Sequence, residues 1–192
     1  MPAAMLTAAL SPHPSTTNDI VRRIDARIHW GQTGGLAIAY TLQGDCERIR
    51  IPPPRPPQRS DGLWRHTCFE AFVAKPNSTG YIEFNFSPSR EWAIYNFTGY
   101  REPAPLPEAA APEITVLRKQ TELEVDASID LPRSPLDKAA PLRIALAAVI
   151  EDSAGALSYW ALRHPTERPD FHRRENFVLE LQSFYEQAGM GK

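Results

Sequence analysis

The stretch Asp61–Arg101, DGLWRHTCFEAFVAKPNSTGYIEFNFSPSREWAIYNFTGYR, decides how this chain is read. It breaks into three runs of alternating character with turn-forming residues between them, the pattern of strands rather than helices. In residues 68–74, Phe69, Ala71 and Val73 point one way and Cys68, Glu70, Phe72 and Ala74 the other. In residues 81–87, Ile82, Phe84 and Phe86 share one face, and Tyr81, Glu83 and Asn85 share the other. The short connection KPNSTG predicts that the two runs pair as a hairpin. A register centred on it sets Glu70 close to Asn85 across the ladder and diagonal to Glu83, about 7–8 Å away at Cα. Polar groups on a half-exposed strand ordinarily mark a solvated outer face. Phe72 and Tyr81 on that face argue for a patch mixing aromatic and hydrogen-bonding groups, which suits a small polar ligand and a sugar in particular.

The same alternation extends outward. Leu36, Ile38, Tyr40 and Leu42 alternate with smaller residues, as do Ile144, Leu146, Ala148 and Ile150. Leu123, Val125, Ala127 and Ile129 alternate with acidic and polar residues, and Phe177, Leu179 and Leu181 continue the pattern near the C-terminus. Roughly ten such runs with no helical segment between them predict an all-β fold, an antiparallel β-sandwich or jelly roll. The N-terminal run reads as an edge strand, and residues 134–140 and the last few residues as short helical turns. Proline clusters at 51–60 and 101–112 read as long surface loops, since proline cannot join a central sheet. Neither flank of these loops looks self-sufficient, so residues 1–192 are read as one domain.

Composition narrows the function. The chain has 192 residues, a net charge of −2 and 21 basic residues spread without a stripe, which argues against nucleic acid. No apolar run is long enough to cross a membrane, and the N-terminus lacks the basic region of a signal peptide, so a cytoplasmic protein is expected. Cys46 and Cys68 are then expected to be free thiols.

Two segments carry a family resemblance. Trp64-Arg-His-Thr-Cys-Phe-Glu70-Ala-Phe72, followed by Tyr81-Ile-Glu-Phe-Asn-Phe-Ser-Pro88, resembles bacterial DOMON-like domains, which are similar to family 9 carbohydrate-binding modules. Tyr159-Trp-Ala-Leu-Arg-His-Pro165 and Arg168-Pro-Asp-Phe-His172, ending in Phe177-Val-Leu-Glu-Leu181, resembles them too. The resemblance implies an immunoglobulin-like sandwich with a sugar slot. In it, Trp64 and Phe171 form the walls, and Glu70 and Asn85 line the floor. It also exposes two departures. The modules carry an arginine where this chain has Glu83, which removes donors and reverses the local charge. Arg168 replaces a polar amide. The expected ligand-binding set is therefore Trp64, Glu70, Glu83, Asn85, Arg168 and Phe171, facing a sugar or, because of Glu83, a cation, amine or other donor-rich ligand.

The reading is a non-catalytic binding domain with no required cofactor. A glycoside-active enzyme is the rival, because Glu70 and Glu83 supply the paired carboxyls such chemistry needs. Haem, bound by some DOMON relatives through Met and His, ranks lower, because the methionines are Met1, Met5 and Met190 and no histidine pair stands out among His29, His66, His164 and His172. A metal set drawn from His66, Cys68, His164, Asp170 and His172 fits no zinc-finger or hydrolase spacing. A structural calcium remains an expectation from the family alone, since Asp61, Asp152 and Asp170 form no calcium-loop pattern.

Overall fold

The structure is a computed structural model that describes residues 5–16, 19–106, 110–130, 136, 138–187 and 189. Its described residues form twelve strands: β1 Leu6–Pro12, β2 Val21–Trp30, β3 Leu36–Gly44, β4 Cys68–Ala74, β5 Tyr81–Phe86, β6 Trp92–Gly99, β7 Glu102–Ala104, β8 Glu113–Arg118, β9 Glu122–Ile129, β10 Leu142–Glu151, β11 Leu157–Ala161 and β12 Leu179–Leu181. The hydrogen-bonded order is β7-β6-β5-β4-β10-β11-β1-β2-β3-β9-β8, antiparallel throughout, with β12 beside the start of β10. This is the expected all-β, sandwich-like fold.

One core draws on both halves of this sheet. The inward residues of β3 and β9 meet Phe69, Ala71, Val73, Ile82, Phe84 and Phe86 in a single buried cluster. The period-2 pattern of β3 and β9 therefore reports its buried face faithfully. Across that core, the Tyr40 hydroxyl donates to the Glu70 carbonyl oxygen at 2.7 Å, tying β3 to β4.

Three expectations need correction. The N-terminal strand is not an edge: Leu6–Leu10 pair with β2, while Ser11 and Pro12 pair with Ala161 and Trp160 of β11. Strand β1 is thus the seam between the halves. Phe177 does not continue the face of Leu179 and Leu181. It ends a short 3-10 turn, Arg174–Asn176, and packs on the opposite side of the sheet from Leu181. The start of the second proline segment is a short edge strand, β7, where Pro103 leaves no interior ladder unsatisfied. The helical turn expected at 134–140 falls largely outside the described residues, and the one expected near the C-terminus is present as a single turn, Phe184–Gln187.

The outer face of β4 differs most from a solvated surface. Every residue of β4 and of β5 is buried on both faces. Opposite Phe72, Glu70 and Cys68, strand β10 supplies Ala145, Ala147 and Val149, and Phe171 and Phe177 of the segment 169–177 pack over them. Small side chains on the central strand leave room for a covering segment, so polar groups there lie in a dry environment.

A cleft with two buried carboxyls

Antiparallel register arranges the outer face in rows, because directly paired residues share a side. Tyr95, Glu83, Phe72 and Ala145 form one row across β6, β5, β4 and β10. Ala93, Asn85, Glu70, Ala147 and Ala161 form the next, and Phe97 lies beside Tyr81 in a third. The expected pairing of Glu70 with Asn85, and the diagonal to Glu83, are therefore present. Trp92 lies opposite Phe86 and packs against the main core.

Above these rows opens a cleft of about 800 Å³. Its floor carries Glu70 and Glu83, and Trp64 and Phe171 both line it. Asn85 is fully buried and contributes from behind, through Glu83, and the exposed Arg168 is not among the lining residues. Tyr95, Phe97, Tyr159 and Arg101 complete much of the wall. Tyr159 was not singled out from sequence, yet its register partner Val149 marks the same face.

Trp64 sits on a one-turn 3-10 helix, Leu63–Arg65, launched by Gly62 in the left-handed region at φ 78°. Its ring is 47% exposed and carries the Arg65 guanidinium 5.0 Å from its centroid. The other wall is pinned by Asp170. Its carboxylate accepts hydrogen bonds from the Tyr100 hydroxyl at 2.6 Å, Arg101 Nη2 at 3.1 Å and Arg173 Nε at 3.0 Å. Burial pushes the Asp170 carboxyl upward, but the bonds from Tyr100 and Arg101 outweigh it and hold the group below its usual range.

A relay of polar groups runs along the floor. Arg101, at φ 54°, donates its backbone N–H to the Tyr81 hydroxyl at 3.2 Å, and that hydroxyl lies 2.7 Å from His172 Nδ1. Burial, reinforced by the Arg101 charge, lowers the His172 pKa to about 4, so the ring is neutral near pH 7. The tautomer that suits both neighbours accepts the Tyr81 proton at Nδ1 and directs Nε2–H toward Glu83 Oε2, 3.7 Å away. A second relay fixes the other oxygen. Cys68 Sγ lies 3.5 Å from Asn85 Oδ1, and Asn85 Nδ2 donates to Glu83 Oε1 at 2.6 Å.

Glu83 thereby has a donor at Oε1 and the His172 ring near Oε2, whereas Glu70 has neither at Oε1. Glu70 is 3% exposed, and its Oε1 has no hydrogen-bond partner. Burial, then the Glu83 charge, pushes the Glu70 carboxyl well above its usual range despite the opposing pull of Arg101. Burial also raises Glu83, less strongly countered by Asn85 and Arg101 than it is driven. The pair therefore shares a tendency to hold a proton, with Glu83 better prepared to carry the charge. Among the described residues no three His, Cys, Asp or Glu side chains gather as a metal site. Cys46 and Cys68 are buried free thiols, as expected from sequence.

The histidine relay can be tested directly. An NMR titration should keep the His172 ring neutral until about pH 4. Tyr81→Phe, which removes the hydroxyl at Nδ1, should cost about 1 kcal/mol of stability and shift the ring nitrogen resonances. An His172 titration near that of an exposed histidine would contradict the geometry.

Fold and cleft together define an all-β, sandwich-like protein with a cleft on one outer face. No protein-family model matches the sequence, and no curated protein matches it. Among solved structures, the chain is similar to a "putative carbohydrate-binding protein" from Bacteroides uniformis, with a TM-score of 0.59 and 14% identity over 90% of this chain and 84% of that one. At that identity the likeness establishes a shared fold.

Proposed function

We propose that this chain is a non-catalytic binding domain for a small hydroxyl-rich ligand, a carbohydrate first. The observation that carries this reading is the Glu70 Oε1 atom, buried, unpartnered and set in the floor of a cleft with aromatic walls. A buried acceptor without a donor is costly, and a ligand hydroxyl supplies the missing donor. Trp64, Tyr95, Tyr159 and Phe171 offer faces for the apolar C–H side of a sugar ring. The shared fold with the "putative carbohydrate-binding protein" supports the same reading. So does the resemblance to DOMON-like domains and family 9 modules, of whose site Trp64, Glu70 and Phe171 line this cleft.

Calorimetry against a panel of mono- and disaccharides tests it. The expected result is saturable binding of at least one sugar, weakened about tenfold or more by Trp64→Ala, the loss of a stacking wall. No heat with any sugar at millimolar protein overturns the carbohydrate reading. Chromogenic glycosides run in parallel should stay intact. Turnover that vanishes in Glu70→Gln would instead make the two carboxyls a catalytic pair.

A further inference from the structure

The cleft floor is built for more than a neutral hydroxyl. Two carboxyls share it on diagonal positions of adjacent strands, Glu70 lacks a partner at Oε1, and Glu83 Oε2 has only the His172 ring 3.7 Å away. Three arginines line the same cleft, yet each guanidinium is engaged at its margin. Arg59 pairs with Asp61 at 3.0 Å, Arg101 with Asp170 at 3.1 Å, and Arg65 lies over the Trp64 ring. None of these contacts reaches the Glu70 oxygen that lacks a donor. The floor is thus acidic beneath a rim where carboxylates pair Arg59 and Arg101 and the Trp64 ring holds Arg65.

A hydroxyl brings one donor to this floor and leaves the two carboxyls facing each other. A protonated amine brings three donors and one positive charge. It can bond both carboxyls at once, and its charge allows both to ionise in place of the proton they otherwise hold. The aromatic walls favour the same group, since ring faces attract cations in a desolvated site. We propose, resting on the sugar reading above, that the preferred ligand is an amino sugar whose ammonium group docks between Glu70 and Glu83. The substitution of Glu83 for the arginine of the family 9 pattern then marks a change of ligand charge.

Calorimetry at neutral pH with glucosamine, galactosamine and mannosamine, each beside its neutral hexose and its N-acetyl derivative, decides this. One amino sugar should bind about tenfold or more tighter than both of its uncharged counterparts, the difference between a charge-assisted and a neutral hydrogen bond. Glu83→Gln, its fold checked by a thermal melt, should abolish the preference for the amine over its neutral hexose, the ratio of the two affinities being the readout. Equal affinity for amine and hexose in the wild type overturns the amine assignment and leaves the carbohydrate reading standing. An unchanged preference in Glu83→Gln also overturns it. Failure of every saccharide, charged or neutral, overturns both. The wild-type comparison is decisive by itself if the variant does not fold.

Discussion

Glu70→Gln is expected to be more stable than the wild-type protein at mildly alkaline pH, and to bind sugars less tightly. The folded state raises the Glu70 pKa above its ordinary value of 4.5, chiefly through burial. Such a group favours folding fully below that value, and the contribution is lost as pH rises through the folded-state pKa. The wild-type melting temperature should therefore fall as pH is raised above the ordinary glutamate range and this side chain is forced to ionise. Glutamine keeps the shape and cannot ionise, so the variant's curve should be flatter. The gain at the alkaline end is about 1–3 kcal/mol, the range for a buried polar group left unsatisfied. In a domain of this size each kilocalorie corresponds to about 2–4 °C. Melting curves of both proteins over that rise in pH provide the measurement, and parallel curves would show that Glu70 is not desolvated as described. A residue that weakens the free fold while serving a ligand is the usual sign of a site kept for function rather than stability.

Phe72→Ala should cost about 3–5 kcal/mol, the range for removing a fully buried phenylalanine. Phe72 lies on the outer face of β4, not in the main core, and is fully buried there. Its ring meets His172 at 5.2 Å and Phe177 at 6.4 Å between centroids. It is therefore the anchor that holds residues 169–177 down on the sheet. Denaturant titration should show the loss in stability, and hydrogen exchange should show the backbone of residues 171–177 opening more readily than that of β3 or β9. A loss below 1 kcal/mol would mean that this segment is held by Asp170 and its arginines instead.

Much of this was visible in the chain itself. Strands β3 and β9 could be read because one of their faces is buried and the other is not, which is the condition under which a period of two appears. The Glu70–Asn85 pairing followed from a short hairpin loop, a local constraint. What stayed hidden was set by distant partners. Strand β1 looks like an edge until β11, about 150 residues later, is known to pair with its end. The burial of Glu70 depends on alanines in β10 and on a segment a hundred positions downstream, neither of which alters the alternation in β4. Phe177 keeps the spacing of a strand residue, yet the 3-10 turn before it rotates its side chain to the other side. Arg168 aligns with a family position by spacing alone, and spacing says nothing of where an exposed loop residue points.

The divided pairing of β1 also fixes when this molecule can finish folding. Ser11 and Pro12 find their hydrogen-bonding partners only at Ala161 and Trp160. During synthesis the N-terminal strand can join β2 early, but the seam stays open until residue 161 has left the ribosome. Through that interval β1 offers backbone donors and acceptors to any other chain nearby. Closing so distant a contact is slow, because the intervening loop must be ordered first. The nascent protein is therefore most exposed to misassembly late in its synthesis, when nearly all of its strands already exist and the one that joins the two halves is still waiting.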